Sequence, residues 1–383
     1  MSYTGTGPEG RTVSSVTTVE PPDQLAGQDN SEATSSIEQA EGNVSLRNHA
    51  NNPSHFQQIE GRLDIGQVQV LIICAKDLEV DAVLATLDKR YKKKTIVKHV
   101  YLFSGTFKDI NVAILPLLQK GMVSSTTDTS QVASDMRPDA YIISAGICGG
   151  TGYDDDKKQP VHLGDVVIST DVARYFDRVQ GKELVQKMVD QKFGGHQRLQ
   201  RQINILKMGD DLFQLRRDAD ENLREVRSRI SSGFFSVGSF QSLSASPPDG
   251  RIHQDRLYKE KRPHMHQEPG CNDLPSNWLE RGPPTERGPL PVHFGIYGSE
   301  DVVMRSGNYT RTLLKERGIM AVDMESRGIW HAAGSHIPRD VVIIRGVSDY
   351  ADSHKNDAWQ PYAAMASACT IKAFVVNFFE SME

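Results

Sequence analysis

Cysteine is scarce in this chain, with four in 383 residues, and Cys74, Cys148, Cys271 and Cys369 stand too far apart for a CxxC pair or a zinc-finger spacing with histidine. A disulfide scaffold and a cysteine-built metal site are thereby excluded, and the thiols read as reduced, mostly buried, small apolar residues. An excess of charge of one sign is also missing, because 44 basic residues face 49 acidic ones for a net charge of −5. That balance offers no electrostatic footprint for nucleic acid or an anionic membrane. No apolar run approaches the length that spans a bilayer, and the amino terminus lacks the charged start and apolar core of a secretory signal. The expectation is a cytoplasmic protein with a small-molecule partner.

Hydrophobic residues make up 38% of the chain, enough for the core of one large domain. They are unevenly placed. Residues 1–64 are rich in Ser, Thr, Gly, Gln, Asn and Glu and poor in aromatics, so they cannot bury enough surface to offset ordering entropy and read as a disordered tail. The domain is expected over 65–383. It opens on "QVQVLIICAKDLEVDAVL", an apolar strand (68–75) followed by a helix with Val80, Val83, Leu84 and Leu87 at helical spacing. A strand pair around Lys108 and Asp109 follows, then a Ser-capped helix in "SSTTDTSQVASDM" and a buried strand ending in glycines, "YIISAGICGG". Further strands are read in "LGDVVIST", "VHFGIYGS", "GIMAVD" and "VVIIRGVSD", with a closing helix from about 362 to 379. Strands that alternate with helices and are apolar on both faces predict an α/β domain with an internal sheet. Residues 181–290 break this rhythm with a charged helical piece, "GDDLFQLRRDADENLREVRSRI", and a Ser-, Pro- and Gly-rich passage. They read as an inserted lid.

In α/β sheets ligands lie beyond the carboxyl ends of strands. Three such ends here carry acid: Glu79 after the first strand, Asp323 and Glu325 after "GIMAV", and Asp349 at the end of "VVIIRGVSD". A single acid at such a place commonly caps a helix. Three of them around the "SAGICGG" turn point to chemistry.

"ICAKDLEVDAVL", "SAGICGG", "LGDVVISTDVARYFD", "AVDMESRGI" and "RGVSDYAD", in this order, resemble the purine nucleoside phosphorylase and uridine phosphorylase superfamily. Within it the resemblance is to the methylthioadenosine/S-adenosylhomocysteine nucleosidase branch. The closing run and "VHFGIYGSEDVVMR" are also similar to the phosphorylase-like domains of fungal NOD-like receptors. The resemblance covers about 66–180 and 291–383. It implies a three-layer αβα fold with a mixed central sheet and a long insertion.

The implied activity is cleavage of a purine N-glycosidic bond, with adenine the expected base. The sugar becomes oxocarbenium-like and the base must leave protonated, as in glycoside chemistry generally. By resemblance Asp349, held by Ser348, is the acid to purine N7, and Glu79 positions the attacking water. Glu325 accepts hydrogen bonds from the ribose hydroxyls, with Met324 packing the sugar and Asp323 and Gly146 beside it. Counting back from Glu325, the position that stacks on the base falls on Val302. Phosphate-using members resemble Arg-x-Gly-Ser/Thr where this chain has Ser144, Gly146 and Ile147, so the arginine and the hydroxyl are missing and water is the expected nucleophile. No cofactor or metal is implied, and relatives of this kind form homo-oligomers that complete the site from a neighbour.

Two alternatives stay open: a phosphorylase with a phosphate site built from other residues such as Lys120, and a non-catalytic nucleoside-binding signalling module. The insertion lies just before the segment lining the base. Lys259, Lys261, Arg262, Arg281 and Arg287, with Arg305, are therefore candidates for holding the phosphate of a nucleotide.

Overall fold

The strand of Val70–Cys74 shows how the core is organised: Val70, Ile72 and Cys74 face one apolar cluster while Leu71 and Ile73 face another. A strand whose alternate residues are both apolar must be covered on both sides. The computed structural model describes residues 57–154, 159–173, 197–231, 243–248, 255–258, 278–280, 289–305, 310–312, 317–335 and 339–380. All of them belong to the unit Asn51–Glu383.

In chain order the strands are β1 (Gln57–Ile59), β2 (Val70–Cys74), β3 (Lys89–Tyr91), β4 (Thr95–Val97), β5 (Val100–Phe107), β6 (Ile110–Pro116), β7 (Tyr141–Gly150), β8 (Tyr153–Asp154), β9 (Gln159–Pro160), β10 (Val166–Ala173), β11 (Arg256–Tyr258), β12 (Trp278–Glu280), β13 (Val292–Ser299), β14 (Ile319–Asp323) and β15 (Val341–Asp349). The helices are α1 (Asp77–Thr86), α2 (Met122–Ala133), α3 (Gln197–Leu206), α4 (Gly209–Ser231), α5 (Ser326–Ser335) and α6 (Gln360–Glu380). The main sheet runs β1-β3-β5-β6-β2-β7-β14-β13-β10-β15, and β15 also pairs with β7. The last five strands therefore close into a ring, with β7 shared between ring and open sheet. Parallel pairs (β2 with β6 and β7, β7 with β15) alternate with antiparallel ones (β5 with β6, β7 with β14), so the sheet is mixed. Residues of α1, α4 and α6 join one apolar cluster, and those of α2 and α5 the other. The expected three-layer αβα arrangement is present.

Several expectations change in detail. The sheet begins at Gln57, inside the stretch read as tail: β1 pairs in parallel with β3, and Leu63 is buried with its carbonyl accepting from Thr95 Oγ1 at 2.7 Å. Residues 1–56 lie outside the described residues. Helix α2 starts on Gly121, with no side-chain cap, rather than on a serine. Within the stretch read as a lid, α4 is a layer of the core, with Leu215, Ala219, Leu223 and Val226 buried on one stripe. It is pinned to α6 by Asn222 Nδ2 donating to the Cys369 carbonyl (3.1 Å) and Asn377 Nδ2 donating to Asp218 (3.0 Å). Most of the rest of that stretch lies outside the described residues. Residues 360–379, in α6, are long and apolar enough to cross a membrane, contrary to the expectation from the sequence, but they are mostly buried inside the domain. Cys74, Cys148 and Cys369 are buried and free, as expected, and Cys271 lies outside the described residues.

Candidate active site

Glu79 is the third residue of α1, where unpaired backbone N–H groups and the helix dipole favour a carboxylate. Its Oε2 accepts from the N–H of Ala75 (2.7 Å) and Lys76 (3.0 Å), and its Oε1 from Ile147 on β7 (3.1 Å). The last bond carries the carboxylate across to the glycine turn. Gly146 has φ +129°, and a Cβ there would sit 2.3 Å from the Glu79 carboxyl carbon. Only glycine fits. Oε2 has both lone-pair sites taken by these bonds and Oε1 has one left, so Glu79 can still accept from a water at Oε1.

Arg345 was not among the residues singled out in the sequence, although an arginine inside "VVIIRGV" is itself a signal. It is 1% exposed on β15. Its Nε stands 3.2 Å from Asp323 Oδ2 and its Nη1 stands 3.4 Å from Glu325 Oε2. Nη1 also donates to the Ile147 carbonyl (3.1 Å) and Nη2 to Ser144 Oγ (2.9 Å). Burial alone would weaken its hold on the proton, but Asp323, Glu325 and Glu79 outweigh that and push the guanidinium above its ordinary value. A guanidinium does lie beside Ser144, supplied by β15 instead of β7; its Nη1 and Nη2 donate to protein groups, while Nε pairs with Asp323 by charge without a hydrogen bond.

Asp323 and Glu325 both lie just before α5. Asp323 Oδ1 accepts from the Ser326 N–H (3.2 Å) and its other oxygen bonds the Ser326 hydroxyl, so it caps the helix as well as pairing with Arg345. Glu325 Oε1 accepts from the Gly121 N–H at 3.3 Å. Burial pushes the Glu325 carboxyl above its ordinary range; Arg345 and the Gly121 N–H oppose this, while Asp323 and Glu79 add to it. Met324 between them is half-buried.

Asp349 ends β15 at a bulge: Val347 pairs with Cys148 and Asp349 with the next residue, Gly149, leaving Ser348 as the extra residue. The carboxylate is 4% exposed. Its Oδ1 accepts from the Ala351 N–H (2.9 Å), and its Oδ2 lies 2.9 Å from Ser348 Oγ and 3.0 Å from Lys355 Nζ. Ala351 holds φ +51°, which turns the chain sharply over the carboxylate. Next to the acid, Tyr350 donates to Asp255 of the inserted segment at 2.5 Å, and Leu257 of that segment lies against Gly152. The sequence offered no sign of this anchor.

Burial pushes the Cys148 thiol up to about 12 despite a hydrogen bond from Tyr297, so it is a protonated packing group and no nucleophile. Val302 is 44% exposed on the turn after β13, where Asp301 accepts from the Met122 N–H at 2.5 Å. Arg305 is exposed, whereas Lys259, Lys261, Arg262, Arg281 and Arg287 lie outside the described residues. Thus Glu79, Gly146, Asp323, Glu325, Ser348 and Asp349 gather around the carboxyl end of β7.

The Phosphorylase superfamily profile matches residues 69–376, and the chain belongs to that family. It is 35% identical over 79 residues to a nucleotide-binding leucine-rich repeat (NLR)-like protein of Hyaloscypha variabilis; that stretch is 21% of this chain and 7% of the relative. The chain thus spans a small part of that relative's length. Among solved structures, the fold is similar to 5′-methylthioadenosine/S-adenosylhomocysteine nucleosidase of Neisseria meningitidis, with 18% identity, 80% of this chain and 98% of the other covered, and a TM-score of 0.47. It is similar also to futalosine hydrolase of Helicobacter pylori, with 13% identity, 81% and 98% coverage and a TM-score of 0.48.

Proposed function

We propose that this protein hydrolyses the N-glycosidic bond of a purine nucleoside or nucleotide, with adenine as the base, releasing free base and the sugar or sugar phosphate. The observation that carries the reading is the convergence of Asp349, Glu325 and Glu79 on one end of β7, joined through Arg345, Ser144 and the backbone of residues 147–149. Asp349 is the acid that delivers a proton to N7, so that the bonding electrons leave with a neutral base. Glu325 accepts from the ribose hydroxyls, an interaction that strengthens as the ring gains positive charge. Glu79, immobilised by three backbone donors, orients the attacking water from the opposite side.

Water is favoured over phosphate as nucleophile by Arg345, whose guanidinium is held by Asp323, Glu325, Ser144 and the Ile147 carbonyl. Lys76, Lys120 and Lys355, on the loops that follow the aligned strands β2, β6 and β15, support acceptance of a nucleotide phosphate. The test is to incubate the protein with adenosine, inosine, guanosine, methylthioadenosine, AMP and ATP, with and without phosphate, and to follow base and sugar by chromatography. Free adenine without phosphate is expected. Base release that requires phosphate and yields ribose 1-phosphate would make it a phosphorylase, and no base from any substrate would make it a binding module.

A further inference from the structure

The acid assigned above is already occupied. Asp349 Oδ2 receives the Ser348 hydroxyl at 2.9 Å and the Lys355 ammonium at 3.0 Å, and Oδ1 the Ala351 N–H at 2.9 Å. Ser348 Oγ also lies 3.3 Å from the Cys148 carbonyl, and the ammonium is the one charged partner, sitting on Oδ2. A group that must hand a proton to N7 cannot keep a cation on the same oxygen while the base occupies its place.

Lys355 differs from the other two partners in its freedom. Ser348 and Ala351 are fixed by the bulge and the turn, whereas the lysine reaches in on a flexible stem and is 29% exposed against 3% for Asp349. A second cation stands near it. Lys76, after β2, is half-buried with its Nζ donating to Gln360 (2.8 Å). Burial lowers the Lys76 ammonium below its ordinary value, with Glu79 opposing and both Lys120 and Lys355 adding to the fall. Lys120 and Lys355 therefore both stand close enough to Lys76 to repel it. Other charged or titratable groups nearby are Cys148 on β7, Asp323 on β14, and Asp352, His354 and Asp357 on the loop of Lys355 itself.

We propose that Lys355 is the resting-state counter-ion of Asp349, a positioning residue that yields its place to the N7 edge of the entering purine. This rests on the function proposed above. With the ammonium gone, Asp349 is a buried carboxylate facing only neutral donors; it takes up a proton from solvent and passes it to N7 as the N-glycosidic electron pair moves into the base. The lysine keeps its own protons throughout. A site of this design favours ligands that bring a donor at N7, because a donor replaces the ammonium on Oδ2.

The test uses 9-deazaadenosine, whose N7 carries hydrogen and whose carbon–carbon glycosidic bond is not hydrolysed. Affinity is measured by calorimetry for the full chain, for Lys355→Met, Lys355→Arg and Asp349→Asn, and for the double variant Asp349→Asn/Lys355→Met, each first checked by thermal melting. Lys355→Met should bind about tenfold more tightly, equivalent to about 1.4 kcal/mol, because nothing competes for Asp349. Lys355→Arg should show no gain, and the gain should vanish on the Asp349→Asn background. Equal or weaker binding by Lys355→Met, or a gain that survives without Asp349, overturns the proposal. Base release in the substrate panel with no such effect overturns this inference alone. The gain without base release from any substrate overturns hydrolysis alone. No binding by any variant together with no base release from any substrate overturns both.

Discussion

Asp349 and Gly146 show how single residues set the chemistry. Replacing Asp349 by asparagine keeps the shape and the hydrogen bond from the Ala351 N–H but removes the transferable proton. Base release should fall by about 100-fold or more while the protein stays folded, its melting temperature lowered by the loss of the Lys355 ion pair; full activity in that variant would remove Asp349 from its role. At Gly146 the constraint is steric, since φ is +129° and the Glu79 carboxyl carbon lies 2.3 Å from where a Cβ would stand. Gly146→Ala should displace Glu79 and cost about 1–3 kcal/mol of stability, read by chemical denaturation together with a loss of turnover. These two residues were named from the sequence for their place in a motif. Arg345 was not, because its role depends on which strands flank β15 and on the carboxylates at the end of β14 and in the turn after it.

Among the elements, α4 departs most from its sequence reading. Its run of Asp, Arg and Glu suggests a solvated helix, but Leu215, Ala219, Leu223 and Val226 form a stripe that α6 covers. A charged composition does not exclude a narrow apolar face, and the stripe's partner lies more than a hundred residues away. Leu223→Ala should therefore cost about 2–5 kcal/mol in urea unfolding; a change below about 0.5 kcal/mol would return the helix to a lid. The bulge at Ser348 is likewise a property of the β7–β15 pair. It sets Asp349 opposite Gly149, and a regular continuation would have turned the carboxylate to the other face.

For the molecule as a whole, two outcomes test how it is held together. Asp165 joins β10 to β13, its Oδ2 accepting from the His162 N–H (2.9 Å) and bonding His293 Nε2 (2.9 Å). Burial would raise this carboxyl, but the bonds to His162 and His293 prevail and lower it to about 2. Its folded value lies below the ordinary one of about 4, so its contribution is present above that pH and is lost as pH falls through about 2. Stability measured between pH 5 and pH 2 should drop by about 2 kcal/mol from this group, and Asp165→Asn should remove that component. The second outcome concerns the amino-terminal boundary. Deleting residues 1–56 should leave melting and base release unchanged, whereas deleting 1–64 removes β1 and the buried Leu63 and should lower the melting temperature by several degrees.

Local pattern was enough for the α/β alternation, for most strand positions and for the three acids at strand ends, because period-2 and period-3.6 hydrophobicity and glycine turns act over a few residues. The closing of β15 onto β7, the core position of α4 and the entry of β1 into the sheet needed the tertiary structure, since each depends on partners distant in sequence. The same holds within the site. Residue type made Asp349 an acid, but its bulged turn, its lysine counter-ion and the arginine that gathers Asp323, Glu325 and Ser144 exist only once the strands have paired, and the electrostatics of a buried carboxylate are set by what surrounds it.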